Sequence, residues 1–521
     1  MRKLISLIMV LCLVLGLSAC KEEKKQGTTK EPNKAVVNQV GLLDGDFEKP
    51  DTRNTANFFN IMSGQSLSTQ YDDEAEALRL KVVNSESVVK AKGETRYISY
   101  RGSDENDGLT PETPWKTYEQ LLGLNVDTVL VERGGVYRGT LDLMTDTSYG
   151  AYGEGPKPAF YTGPQNFADP DLWKNANPTG DFPDATNIWA VRVGNISDIG
   201  NVIFNHGEAV ALKTINTYKN LTSDYQFYHN RDNGVLYVYC SKGNPGELFD
   251  SIEIAAGPGL VCPFDDSKNI VVDNLCVKYS GEHGISFATG VDNVKITNCE
   301  IGWIGGSITS YGRLGNGIEF INAYSNCTVD NCWIYQCYDA GYTFQNCANE
   351  GMNPINTEHN MVLTNTLIEY CNYNIEIFGP ADGLITDSRF ENNILRFGGF
   401  GWGSINRIGS TDAAAANICM YKGSSTKPLN AKNFVITNNI IDTALRQLVS
   451  CPYLNTDTTP TITGNIYNQQ PGEKAVAGMV ANPNATNIPF YINYGCATQA
   501  ELEASVKKLD TAPKAVTLQT K

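Results

Sequence analysis

Two short patterns of alternating apolar and polar residues recur in the middle of the chain, between about residues 269 and 468. The first has Val, Ile or another apolar residue at alternate positions and then a polar corner residue, namely Asn274, Asn298, Asn331, Asn365, Asp387, Asn438 or Asn465. The second has apolar residues at its second and fourth positions: GISF (284–287), GIEF (317–320), GYTF (341–344), NIEI (374–377) and NICM (417–420). A period of two over four to six residues predicts half-buried β-strands.

The spacing of the first pattern predicts how these strands assemble. Its successive Asn or Asp residues are 24, 33, 34, 22, 51 and 27 residues apart. Short strands repeating at this interval predict a parallel β-helix, because one coil cannot bury its own apolar face and must stack on the next. Asn tolerates the left-handed backbone conformation, so we expect it at one corner of each coil, with its amide bonded along the stack. An antiparallel sandwich also has many short strands, but it does not explain a recurrent Asn at one place.

The segment before the repeats adds a family resemblance. It contains YISY (97–100), GSDENDGLTPETPWKT (102–117), DTVLVERGGVYRGTL (127–141) and SYGAYGEGPKPAF (148–160). These motifs resemble the entry coils of pectin-lyase-like right-handed parallel β-helix proteins, many of which act on polysaccharides. The resemblance covers about residues 95–470. It implies an all-β right-handed solenoid and a carbohydrate-active protein, but no single reaction, because one fold hosts many chemistries.

The N-terminus has the features of a bacterial lipoprotein signal. Arg2 and Lys3 precede an apolar run (4–17), and LSAC (17–20) resembles the lipobox. This resemblance implies a lipid anchor on Cys20 and a location outside the cytoplasmic membrane. We therefore expect a signal peptide (1–19), a flexible tether (20–36), an N-terminal cap or small β segment (37–94), the β-helix (95–470) and a C-terminal cap (471–521). Within these parts ALRLKVVN (77–84) suggests a strand and TQAELEASVKKL (498–509) a short helix.

Composition narrows the classes of function. The 521 residues carry a formal net charge of −16, which argues against a nucleic-acid partner, because such proteins need a basic surface. Twelve cysteines follow Cys20, without a CxxC pair or the Cys/His spacing of a zinc site. We therefore expect buried, stacked thiols and neither a metal site nor a cofactor. Whether stacked pairs form disulfides is left open by the sequence.

The second pattern also predicts which side chains face outward. Residues at its second and fourth positions point inward, so the residue between them points outward. This outward row reads Ser286, Glu319, Thr343, Glu376 and Cys419. Aromatic rings and amides suit sugars, which offer apolar faces and hydroxyl edges. We therefore expect a glycan-binding groove lined by residues of the neighbouring rows and of the flanking insertions: His283, Asn316, Gln345, Tyr373, Phe378, Tyr421, Trp303 and Trp402.

Carboxylates in this groove suggest a reaction. Glycoside hydrolysis needs two carboxyl groups, one acting as acid and the other as base or nucleophile. Glu319 and Glu376 lie two coils apart, hence about 9–10 Å between backbones, whereas Asp339 could make a closer pair with Glu319. We predict Glu319 with either Glu376 or Asp339 as the catalytic pair, and the acid is not decided. Reserve candidates are Glu282, Glu300, Glu350, Glu358 and Asp382.

Two other functions remain open. Many β-helix polysaccharide lyases use a Lys or Arg base with Ca²⁺. The only Lys and Arg residues between 284 and 388 are Lys295 and Arg313. His283, His359 or Tyr373 could serve as the base instead, and acidic loops could bind Ca²⁺. A non-catalytic surface protein would use the aromatic residues for glycan binding alone. The sequence favours a membrane-anchored glycoside hydrolase whose partner is a polysaccharide or oligosaccharide.

Overall fold

The alternating patterns form strands of three parallel sheets, which we call sheets A, B and C in the order in which each coil meets them. The computed structural model describes residues 47–61, 67–176, 186–309, 312–345, 357–379, 384–407, 415–422, 431–450, 460–471, 476–477 and 496–520. One coil, for example, consists of Lys268–Asp273 in sheet A, Cys276–Lys278 in sheet B and Ile285–Phe287 in sheet C. The chain is therefore an all-β right-handed parallel β-helix, as predicted.

All neighbouring strands within the three sheets pair in parallel. Sheet A contains Thr95–Ile98, Thr128–Glu132, Ser148–Tyr152, Lys268–Asp273, Asp292–Thr297, Thr328–Asp330, Val362–Thr364, Arg389–Glu391, Val435–Thr437 and Thr461–Thr463. Sheet B contains Val136–Arg138, Ala159–Tyr161, Cys276–Lys278, Glu300–Ile304, Trp333–Cys337, Leu367–Glu369, Ile394–Gly398, Ile440–Ala444, Ile466–Gln469 and Ala515–Leu518. Sheet C contains Leu141–Asp142, Leu260–Cys262, Ile285–Phe287, Ile318–Ile321, Ala340–Gln345, Tyr373–Gly379, Ala416–Lys422, Gln447–Ser450 and Val476–Ala477.

An insertion interrupts the coils in sequence but not in space. Ala159–Tyr161 pairs directly with Cys276–Lys278, although more than a hundred residues separate them. Between them lie a five-stranded sheet and a three-stranded sheet whose pairings are mostly antiparallel. The sequence analysis did not predict this insertion, because its strands share the period of two with the coils. Its strands are Lys174–Asn175, Ile188–Arg192, Ile199–Phe204, Ala209–Val210, Leu212–Lys213, Gln226–Asn230, Val235–Tyr239 and Ile252–Ala256.

Helices and small sheets complete the described chain. The helix Asp72–Val83 replaces the strand expected at 77–84, which is a correction to the sequence analysis, and Gln499–Val506 lies within the predicted C-terminal helix. Three short strands, Thr357–His359, Leu384–Thr386 and Ala431–Lys432, form a parallel sheet, and Ile308–Thr309 pairs with Gly312–Arg313 as a hairpin. The remaining helices are short: Tyr118–Leu121, Pro170–Leu172, Asn205–Gly207, Tyr218–Asn220, Pro245–Leu248 and Trp402–Ser404.

The corner residues behave as their type predicts. Backbone φ is between +48° and +64° at Asn274, Asn298, Asn331, Asn365, Asp387 and Asn438. In the last repeat Gly464, and not Asn465, takes the left-handed position (φ 72°), so the prediction is wrong for Asn465. Asn465 instead belongs to a buried asparagine ladder: its Oδ1 accepts from Asn439 Nδ2 at 2.9 Å. The corner amides also bond along the stack, as the sequence predicted: Asn331 Nδ2 donates to Asn298 Oδ1 at 2.6 Å.

A glycine next to the first residue of three strands of sheet C permits close stacking of the coils. A Cβ at Gly317 would lie 2.5 Å from the carbonyl oxygen of Gly341, the equivalent residue of the next coil. No ordinary side chain fits at that distance, because the obstacle is backbone. This requirement explains why the second pattern begins with Gly at 284, 317 and 341.

Inside the coils, one apolar cluster contains the inward residues of all three sheets. The ten cysteines within the described residues are buried, as expected, and Cys299 stacks against Cys332 on the next coil. Cys20, the signal peptide and the tether lie outside the described residues. Among the residues that the structure describes, no helix is long and apolar enough to cross a membrane.

Candidate active site on sheet C

The predicted outward row forms a continuous line across sheet C. Ser286 pairs with Glu319, Glu319 with Thr343, Thr343 with Glu376, and Glu376 with Cys419. Their sequence neighbours point into the apolar core, so the register predicted from the repeat is confirmed. Although these side chains face away from the core, they are buried, with Glu319 4% and Glu376 1% exposed. Buried carboxyl groups need hydrogen-bond donors, and both have them.

Glu319 is held by two donors from the preceding turns. Asn316 Nδ2 donates to Glu319 Oε1, and His283 Nε2 lies 2.9 Å from Glu319 Oε2. Asn316 is itself fixed, because its Oδ1 accepts the backbone N–H of Ala340 at 3.0 Å. The two carboxylate oxygens therefore have separate hydrogen-bond donors, one an amide and the other an imidazole.

The proton on His283 can be placed from its partners. Its Nδ1 accepts the backbone N–H of Asn316 at 3.2 Å, so the neutral ring carries its proton on Nε2 and donates it to Glu319. Burial lowers the pKa of His283, but the carboxylate of Glu319 outweighs burial, with smaller help from Glu282 and Asp339, so that the pKa lies above its usual value. Glu319, Glu282 and Asp339 therefore surround this imidazole.

Asp339 lies in the turn before the sheet C strand, one coil from Glu319, and is paired with a cation. Arg407 Nη2 donates to Asp339 Oδ1 at 2.6 Å and to the carbonyl oxygen of Tyr338 at 2.8 Å. The guanidinium also lies 4.9 Å from the ring centroid of Tyr338 and 5.9 Å from that of Tyr373. The carboxylate of Asp339 is therefore already occupied by an ion pair with Arg407.

Glu376 has different partners from the other two carboxylates. Its Oε2 accepts from Gln345 Nε2 at 2.9 Å and from Thr343 Oγ1 at 3.4 Å. Phe378, two residues along the same strand, is half-buried, and Tyr373 at the start of that strand is buried. Of the predicted groove residues, the structure thus brings His283, Asn316, Gln345, Tyr373 and Phe378 to the outer face of sheet C.

The two predicted tryptophans do not line this face, which corrects the sequence analysis. Trp303 is 1% exposed, and its Nε1 donates to Thr55 Oγ1 at 3.0 Å, because the N-terminal segment covers it. Trp402 is also buried; its Nε1 donates to the carbonyl oxygen of Gln336, and its ring lies 5.1 Å from that of Tyr338. Both belong to an apolar cluster outside the coil interior.

The reserve carboxylates are scattered. Glu282, beside His283, is half-buried, and burial raises its pKa above the usual value. Glu300 pairs with Lys278 at 2.7 Å on sheet B, so it is structural. Glu358 lies in the short strand Thr357–His359, away from sheet C. The side chain of Tyr421 and all of Glu350 and Asp382 lie outside the described residues.

The insertion adds contacts that sequence reasoning missed. Asp198 accepts the backbone N–H of Ile308 at 2.7 Å and pairs with Lys213 and Arg231. Lys213 also donates to the carbonyl oxygen of Gly306 at 3.2 Å. These bonds fix the segment that leads to Asn316. A lysine and an aspartate far apart in a mostly antiparallel region gave no periodic signal by which the sequence could have identified them.

Another feature of the described residues is how they compare with the ligand sets that bind metal ions. Within the described ranges, no group of three or more His, Cys, Asp or Glu side chains is arranged to hold a metal ion. The site geometry is instead that of carboxylates held by amide, imidazole and guanidinium donors. Such a set can hold one carboxylate ionised and move a proton at another.

Comparison with known proteins gives similarity in fold. No family model matches the chain, and no curated protein is similar to it in sequence. Solved structures similar to it include the GH136 lacto-N-biosidase from Eubacterium ramulus (15% identity, 79% of this chain and 67% of that chain, TM-score 0.39). The pectate lyase Pel9A is another, at 11% identity over 77% of this chain and 80% of that chain, with a TM-score of 0.37. A polygalacturonase from Erwinia carotovora is similar at 11% identity over 78% of this chain and 99% of that chain, with a TM-score of 0.34. At this identity the likeness concerns the fold alone.

Proposed function

We propose that this protein is a carbohydrate-active enzyme, a glycoside hydrolase that cleaves a polysaccharide or oligosaccharide with Glu319 and Glu376. The observation behind the proposal is a pair of buried carboxyl groups on one outward row of sheet C, separated by Thr343. Two strand spacings of about 4.8 Å give about 9.6 Å between their backbones. Carboxyl groups about 6.5–9.5 Å apart leave room for water and favour inversion of the anomeric centre.

The contacts of each carboxyl group support separate roles. Glu319 is assigned as the base, because an imidazole and an amide, from His283 and Asn316, orient its two oxygens. Asp339 is occupied by Arg407 and acts in positioning. Glu376, whose hydrogen-bond partners include an amide and a hydroxyl group, supplies the proton to the leaving oxygen. The reaction needs no cofactor, and a lipid on Cys20 would hold the enzyme outside the cytoplasmic membrane.

The test uses a panel of plant and host glycans, with reducing ends and the absorbance of unsaturated products measured in parallel. We expect reducing ends without absorbance. Glu319→Gln and Glu376→Gln should each lower the rate by about 10²–10⁴-fold, the usual contribution of a general acid or base. Glu247→Gln, at an exposed residue of a short helix in the insertion, is the matched control and should keep full activity. Full activity in both site variants would refute the assignment.

Elimination is the second candidate, favoured by one observation. Arg313 Nη1 donates to the Tyr338 hydroxyl at 3.0 Å, and Arg407 lies over the same ring. Arg407 therefore reaches Asp339 and Arg313 reaches the neighbouring Tyr338, although the count of basic residues in those coils disfavoured a lyase. Absorbance of unsaturated products in the same panel would identify a lyase, and retention on a glycan without product would identify a binding protein.

A further inference from the structure

A cavity of about 530 Å³ lies beside sheet B, under the helix Asp72–Val83. The helix, the segment after it and two turns of the first coils form its walls. Its volume is within the range of about 300–1,000 Å³ typical of small-molecule sites. The charged residues that line it are Arg79, Glu86, Arg133, Lys157 and Glu300.

Lys157 is the first unusual feature of this cavity. It is 4% exposed, and its ammonium donates to Ser85 Oγ at 2.9 Å. An ammonium has three donors, and no further acceptor within the described residues bonds to it. Burial lowers the pKa of Lys157 to about 8. A buried cation in this position lacks the solvation that water would give it.

Arg133 is the second unusual feature of this cavity. It is also buried, and it donates to the carbonyl oxygens of Gly155 (2.8 Å) and Ser85 (2.7 Å) and to the Asn274 side chain. A guanidinium has five N–H groups, so these three bonds leave two without a partner in the described part of the chain. Neither Arg133 nor Lys157 forms an ion pair with a carboxylate there.

The other charged groups near the cavity already have hydrogen-bond or ion-pair partners, or are exposed to solvent. Arg79 pairs with Glu76 at 2.6 Å, and Glu300 with Lys278 at 2.7 Å. Asp273, which acts on Lys157 along with Glu300, accepts from Ser87, Thr297 and Asn298. Glu86 is exposed. The interior of the cavity therefore has an excess of positive charge, in a chain whose formal net charge is −16.

We propose that this cavity binds an oxyanion, the carboxylate, sulfate or phosphate group of a small molecule, between Lys157 Nζ and the guanidinium of Arg133. Charge-assisted hydrogen bonds from these two groups use the donors that the protein leaves unpaired. The space exceeds that of a bare ion, so the anion can be free or part of a sugar acid. The site is separate from sheet C and does not depend on the reaction proposed there.

The experiment is isothermal titration calorimetry of the full chain with sodium sulfate, sodium phosphate and D-glucuronate, with D-glucose as the uncharged control. We expect saturable binding of at least one anion and none of glucose. Tighter binding of glucuronate would assign the site to a sugar acid, and tighter binding of sulfate or phosphate would assign it to a free ion. The absence of saturable binding of all three anions would overturn the proposal.

Protonation of Lys157 provides an internal control. At about pH 8 roughly half of the free protein has this ammonium neutral, so binding should take up a proton and its enthalpy should depend on the buffer. Affinity should fall as pH rises from about 7 to about 9.5 in the unmodified protein. Lys157→Met should weaken binding about tenfold or more and abolish the proton uptake, whereas Lys508→Met, at an exposed lysine, should change neither. Equal affinity in Lys157→Met and the unmodified protein would exclude this site.

Discussion

The buried asparagine ladder allows a quantitative prediction about what holds the coils together. Asn439 is 1% exposed. Its Nδ2 donates to Asn465 Oδ1 at 2.9 Å and to the carbonyl oxygen of Phe390 at 3.0 Å, and its Oδ1 accepts both the backbone N–H and the Nδ2 of Asn393 at 3.0 Å. Asn439→Ala removes all four bonds. At about 1 kcal/mol per bond, and with the Asn393 backbone N–H left without this acceptor, the free energy of unfolding should fall by about 3–5 kcal/mol.

Urea unfolding followed by far-ultraviolet circular dichroism measures this loss. The matched control is Asn57→Ala, at an exposed asparagine, which should cost about 0.5 kcal/mol or less. A loss of about 4 kcal/mol is a large part of the ~5–15 kcal/mol that stabilises a typical domain. If Asn439→Ala and Asn57→Ala unfold at the same urea concentration, the ladder does not stabilise the stack and the reasoning is refuted.

Two further predictions concern packing and titration. Gly317→Ala places a Cβ 2.5 Å from the Gly341 carbonyl oxygen, so the coils must separate, and we expect a loss of about 2 kcal/mol or more in the same urea assay; an unchanged midpoint would contradict the close approach. For Lys157, the folded pKa of about 8 lies below the unfolded value of about 10.5, so the unfolded state binds more protons between these values and stability rises with pH there. The unmodified protein should therefore gain up to about 3 kcal/mol of unfolding free energy relative to Lys157→Met from pH 8 to pH 10.5. A difference that does not change with pH would show that this lysine is not desolvated.

The sequence predicted the solenoid and the register of sheet C because both depend on local, repeated properties. An Asn at the corner adopts the left-handed backbone, as at Asn298. A period of two decides which side chains face the core. Once equivalent strands stack in parallel, residues at equivalent positions become neighbours, which is why Glu319, Thr343 and Glu376 align as the repeat implied.

The sequence could not place the residues whose neighbours come from distant segments. Trp303 was predicted to line a groove, but Thr55, 248 residues away, covers it. Arg407 meets Asp339 across 68 residues, and the carboxylate so occupied is no longer a simple candidate for the acid. Neither contact has a period that a pattern could reveal.

By itself, then, the sequence determined the coil: its strands, its corners, its inward and outward faces and the row of carboxylates on sheet C. The tertiary structure alone decided which carboxylates share partners, where the insertion rejoins the stack and which aromatic residues are covered. The physical reason is the range of the interactions. Backbone preference and side-chain alternation act over a few residues and repeat with each coil. Ion pairs, burial and cavities such as the one at Lys157 depend on segments that meet only after the chain has folded.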